Sequence, residues 1–167
     1  MENNMENIIF QHDARGFNSD PTHLSDIEPA LTDSNYWKRG DVFLSLRHQS
    51  MIILYRPSTN QIIWKSDGNI FSQFDVNILD NHRIYIFNNN LKEFYDGYRV
   101  DESNEVIIYD FETGVYSKYF NDALRNNAIR TKSDGRGKIL ESGDLLVEEQ
   151  NYGRIFYFNK DESLKWQ

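Results

Sequence analysis

The sequence predicts an all-β fold, a partial β-propeller of about three four-stranded antiparallel blades. Three observations predict it. A phrase of Gly-Asp, alternating strand, turn, second strand and closing Trp runs from Gly40 to Trp64 and again from Gly143 to Trp166. A blurred third copy lies between them, with Arg83 at the anchor position held elsewhere by Asp41 and Asp144. The apolar runs are short, rich in Ile, Val, Tyr and Phe, and divided by turn residues, which is the pattern of strands in hairpins.

Taken in order, each unit supplies four strands. A short segment precedes each anchor: "DIEPAL" from Asp26, "DVNIL" from Asp75 and "GKIL" from Gly137. "SQFDVNILDNHRIYIF" from Ser72 aligns without a gap on "SDGRGKILESGDLLVE" from Ser133. A hairpin follows each anchor strand. "MIILYRPSTNQIIW" from Met51 matches "EVIIYDFETGVYSK" from Glu105, placing Asn60 and Gly114 at tips that want a positive φ. Four-stranded units repeating at roughly 40–60 residues read as propeller blades, because one sheet cannot bury both of its faces alone. The boundaries expected are an N-terminal extension over 1–22, loosely packed, then a domain over 23–167 with blades at about 26–65, 74–120 and 136–167. "LKEFYDGYRVDES" is an insertion in the middle blade, and "NDALRNN" a helical turn after it. Trp64 and Trp166 are expected to pack between blades. The alternative is a generic β-sandwich of the same hairpins.

Composition narrows the function. A formal net charge of −8 argues against nucleic acid, whose phosphates demand clustered Lys and Arg. The chain has no cysteine, which removes disulfides, thiolate zinc sites and a Cys nucleophile. The N-terminal stretch lacks a basic region and a long apolar run, so neither a signal peptide nor a membrane span is expected, and the chain as written is expected to stay in the cytoplasm. "DESNE" and "NKDES" lack the alternating ligand spacing of a Ca²⁺ loop, and "GRG" at 135–137 is not followed by a phosphate-loop pattern. No metal site and no cofactor are expected. Three blades fall short of the four to eight with which propellers usually close. The terminal sheets are therefore expected to expose one face each, as in a fragment of a longer chain or one that self-associates through those faces.

The ordered set "DPTHLSDIEPAL", "GDVFLSLR", "YRPSTNQIIW", "FDVNILDNHRIYIFNNN" and "ILESGDLLVEEQNYGRIFYF" resembles the arylsulfotransferase family, from His12 onward and over part of a full-length member. The resemblance implies a six-bladed propeller of which this is the N-terminal arc. It implies transfer of a sulfuryl group from an aryl sulfate to a phenol without a nucleotide, through a His nucleophile. It also implies that relatives are usually exported or membrane-anchored. A neutral imidazole suits such a nucleophile, Arg suits the sulfuryl oxygens, and a second His or another acid suits the phenolate leaving group.

Four histidines are available. His23, in "HLSD", best matches the family's hub-facing histidines; the other reading is a loop histidine bonded to Asp26. His12 lies near the N-terminus, His48 follows Arg47, and His82 sits in a surface turn. Arg47, Asn89 and Gln150 each fall six places after their anchor and are expected to form a polar ring at one end of the hub; the other reading is ordinary polar strand ends. The catalytic candidates are His23 and Arg47, and the substrate-binding candidates Asp26, Asp75 and Asn89. Where family members show His-Asp, this chain has Phe74-Asp75 and Arg136-Gly137, so part of the active site is expected to lie outside it. A second function class remains open: a non-catalytic scaffold that binds a protein or glycan through loops 31–39 and 91–103, including Tyr95 and Tyr98.

Overall fold

The computed structural model describes residues 20–66 and 68–167. The first sheet holds β1 (Leu24–Pro29), β2 (Val42–Leu46), β3 (Met51–Arg56) and β4 (Gln61–Ser66). The second holds β5 (Asp75–Ile78), β6 (Arg83–Asn88), β9 (Glu105–Asp110) and β10 (Val115–Tyr119), with the hairpin β7 (Leu91–Phe94) and β8 (Gly97–Val100) inserted between β6 and β9. After α1 (Asn121–Asn126), the third holds β11 (Arg136–Ile139), β12 (Leu145–Glu149), β13 (Arg154–Phe158) and β14 (Leu164–Trp166). Each sheet is an antiparallel meander in which the first strand forms one edge and the last strand the other. No sheet continues into the next, so the fold is a stack of blades and not a sandwich.

Strand period explains why the blades stack. Side chains alternate between the two faces of a strand. On β6, Ile84 and Ile86 enter a core shared with Phe43, Ile52 and Leu54 of the first blade. Tyr85 and Phe87 enter a second core with Val147, Phe156 and Phe158 of the third. The middle blade thus buries both faces. Trp64 closes the first interface, with its ring centroid 4.9 Å from those of Tyr109 and Phe111. Trp166 does not pack between blades. It lies against Tyr157 of its own sheet and is 47% exposed, because no described sheet stands beyond the third.

The repeated Asp has a mechanical role. Asp41, at the start of the second strand of its blade, accepts two hydrogen bonds from Arg56 at 2.8 and 2.7 Å and one from the Lys38 N–H. Those bonds hold its carboxyl below the usual range, the Arg56 contact foremost. Asp144 accepts from Tyr157 and the Lys160 N–H. In the middle blade the polarity is reversed, and Arg83 donates to Asp80. Each anchor fastens one strand to a neighbouring turn or strand.

The two glycines of "GRG" let the third blade approach the second. A Cβ on Gly137 would lie 3.0 Å from Val106 Cγ2, and one on Gly135 would lie 2.7 Å from Phe87 Cε1. Asn60 and Gly114 take φ of 52° and 69° at their hairpin tips. The third blade's far face is open, with Ile155 49% exposed. The first blade's far face is not bare: Leu46, Met51 and Ile53 there are buried, while Leu24, Ile27 and Pro29 are exposed along its inner strand. Among the described residues no helix is long and apolar enough to cross a membrane.

Candidate functional site

The three residues that the repeat places alike meet at one loop. Arg47, buried at the end of the first blade's second strand, donates from Nη2 to the Lys132 carbonyl at 2.7 Å. Asn89, fully buried, donates from Nδ2 to the carbonyls of Asp134 and Thr131 at 2.8 and 3.2 Å. Gln150 accepts from the Gly135 N–H at 3.3 Å. The loop 131–135 leads into β11, so one residue from every blade grips the segment that starts the third. Asn104 strengthens the grip, donating to Thr131 and accepting from its N–H. Buried polar groups of this kind are stable only when partnered. Here much of the ring's hydrogen-bonding capacity goes to backbone.

His23 lies at the same end, and its carbonyl accepts from the Arg47 N–H at 3.0 Å. Its φ of 47° turns the chain sharply before β1. That turn brings back Asp20, which accepts from the His23 N–H at 2.8 Å and from its Nδ1 at 2.6 Å. His48 stacks on His23 with ring centroids 4.6 Å apart, and its Nδ1 donates to the Asp20 carbonyl at 2.9 Å. With both Nδ1 atoms donating, neutral rings carry their lone pairs on Nε2. The His23 bonds hold the Asp20 carboxyl below its usual range. His23 therefore bonds Asp20 and not Asp26, because Asp26 is directed at the next blade. Residues 20–22 are tied to the first blade through Thr22, Pro21 and Asp20; His12 and the rest of 1–19 lie outside the described residues.

Further along the hub, the inner strands β1 and β5 meet. Asp26 accepts from the Val76 N–H at 3.0 Å and Glu28 from the Ile78 N–H at 3.4 Å. Ser25 donates to the Phe74 carbonyl at 2.7 Å. Burial pushes the Asp75 carboxyl up to about 7; the charge of Asp26 and a hydrogen bond with it add to the rise, and Arg136 opposes it. Burial also raises Glu28. Asp26 and Asp75 are thus brought together, with Arg136 in the same field.

The arylsulfotransferase (ASST) family model matches residues 1–167, the whole chain. The chain belongs to that family. No curated protein matches it. Among solved structures it is similar to the WD40 β-propeller domain of Doa1, at 16% identity and a TM-score of 0.49, covering 86% of this chain and 39% of that one. The chain therefore spans well under half of that structure's length.

At this end of the arc an Asp-oriented histidine has a second histidine stacked on it, and an acid pair lies where β1 and β5 meet. The ring of Arg47 and Asn89 is spatially adjacent but engaged with the loop 131–135. Sequence reasoning missed Asp20. The spacing Asp20-Pro-Thr-His23 was its signal, a carboxylate three residues before an imidazole at a Pro-containing turn.

Proposed function

We propose that this chain forms one arc of a propeller that moves a sulfuryl group from an aryl sulfate to a phenol, with His23 as the nucleophile. The observation that carries this reading is the Asp20–His23 pair: a carboxylate on Nδ1 fixes the tautomer and leaves the lone pair on Nε2. Nε2 attacks sulfur, an N–S bond forms, and the S–O bond to the aryl group breaks with its electron pair leaving on the phenolate. His48, having taken a proton from solvent on Nε2, donates it to that oxygen, and the proton later taken from the acceptor passes back to solvent. In the second half the acceptor phenol loses its proton, its oxygen attacks sulfur, and the N–S electron pair returns to Nε2. Asp75 and Asp26 serve the acceptor side, where a carboxyl titrating near 7 can take a phenol proton. Arg47 and Asn89 are positioning residues that hold the hub end in shape. Blades outside this arc complete the pocket.

Incubation with 4-nitrophenyl sulfate and a phenol acceptor tests the reading. Nitrophenol release that disappears in His23→Ala and falls in Asp20→Asn supports it; release that persists undiminished in His23→Ala removes it. A second reading, a binding scaffold for a protein or glycan, is favoured by the hairpin β7–β8, where Tyr95 is fully exposed and Tyr98 half exposed. The other loop of that reading is less available, since Trp37 within 31–39 is buried against Phe43 and Phe111.

A further inference from the structure

The turn before β6 and the turn after β9 lie side by side, and the Phe111 N–H donates to the His82 carbonyl at 2.9 Å. This is the end of the middle blade opposite the Asn89 grip, about 20 Å away for a strand of six residues. His82, Asp110 and Glu112 bring ligand-type atoms within 4.8 Å of one another here.

The arrangement of protons singles this cluster out. His82 Nδ1 lies 2.8 Å from Asn81 Oδ1 and 3.3 Å from Asp80 Oδ1. Both are acceptors, so Nδ1 carries the hydrogen and a neutral ring keeps its lone pair on Nε2. That Nε2 faces Asp110 Oδ2 at 3.8 Å, two electron-rich atoms with room for an ion between them. The other oxygen of Asp110 is occupied, accepting from the N–H groups of Glu112 and Thr113 at 2.8 and 3.2 Å. An imidazole whose far nitrogen donates to a side-chain amide oxygen, with a carboxylate close by, and whose near nitrogen faces a carboxylate fixed by backbone, has the outer support that orients metal-ligating histidines. A tetrahedral Zn²⁺ needs its N and O ligands about 3.3 Å apart, so the His82–Asp110 pair closes by about half an ångström, and the exposed Glu112, within 4.8 Å of both, swings in to complete the set. The neighbouring Arg83 is bound by Asp80.

We propose that His82, Asp110 and Glu112 form a Zn²⁺ site that staples the β5–β6 turn to the β9–β10 turn, with a fourth position left to water. The other donor group, Asp20, His23 and His48, fits an ion less well. Its imidazoles are stacked at 23°, and nearly parallel ring planes do not direct two lone pairs at one point.

The test is calorimetric titration of Zn²⁺ alone into the chelator-treated chain and into variants whose fold is verified by circular dichroism. The expected result is one equivalent bound. It weakens at least about tenfold in His82→Gln and in the exposed Glu112→Gln, weakens by about tenfold in Asn81→Ala, and is unchanged in His23→Gln. The Zn²⁺-dependent rise in Tm should vanish in His82→Gln. Absence of saturable binding, unchanged binding in Glu112→Gln, or loss of the equivalent in His23→Gln overturns the proposal. None of these readouts depends on sulfuryl transfer.

Discussion

Arg47 of the first blade donates from Nη2 to the carbonyl of Lys132, on the loop that begins the third blade, at 2.7 Å. The bond joins residues far apart in the chain and bypasses the middle blade, whose own Asn89 binds the same loop. The arc therefore has a clasp at its hub end in addition to its two apolar interfaces.

The clasp should be measurable as stability. Asn89→Ala removes two hydrogen bonds to backbone carbonyls, one buried and one partly buried, and is expected to cost about 1–3 kcal/mol. Because Arg47 holds the same loop, the double variant Arg47→Ala with Asn89→Ala should depart from additivity by about 0.5 kcal/mol or more. Urea denaturation of the four proteins checks this, and strict additivity would show that the two contacts act separately.

The third blade's close approach depends on missing side chains. Gly137→Ala would press a methyl against Val106 and Phe87, an overpacking expected to cost about 1–3 kcal/mol. A chemical-denaturation midpoint unchanged from the parent would mean that β11 has freedom to shift.

Asp75 gives stability a pH dependence of defined sign. Its folded value is raised from 3.8 to about 7, by burial first and by Asp26 second. The folded state therefore favours the protonated form. That contribution is complete below about pH 4 and is lost as pH rises through 7. Asp75→Asn should lose this dependence and be the more stable protein above neutrality, by on the order of a few kcal/mol. Denaturation at about pH 5 and about pH 9 reads the difference; a parent that gains stability across that interval relative to Asp75→Asn would contradict the assignment.

Asp20 is expected to act through His23. In Asp20→Asn the imidazole loses the carboxylate that sets its tautomer, and turnover of 4-nitrophenyl sulfate should fall at least about tenfold in kcat with little change in KM. A rise in KM with kcat unchanged would point to substrate binding instead.

Much of the fold was legible because its determinants are periodic. The alternation Ile84, Tyr85, Ile86, Phe87 states which side chains enter which core, and the repeat of Asp41 and Asp144 marks equivalent strand starts. The shared position of Arg47, Asn89 and Gln150 was visible for the same reason, although not that their common partner would be backbone of loop 131–135. Trp166 resembled Trp64 in sequence, but no described sheet packs against its outer side, and it lies on Tyr157 of its own blade. The His23–Asp20 pair was hidden by local conformation. An extended reading sends His23 toward Asp26, whereas a φ of 47° folds the preceding residues beneath it. His82 and Asp110 come together only because β6 pairs with β9 across the inserted hairpin, a neighbour relation that spacing alone does not reveal.

The most direct measurement is the mass of the chain quenched during turnover of 4-nitrophenyl sulfate. A gain equal to one SO₃, located on His23 by peptide mapping and absent in His23→Ala, is the result this account expects. Turnover with no adduct on His23, or an adduct carried by another residue, would contradict it.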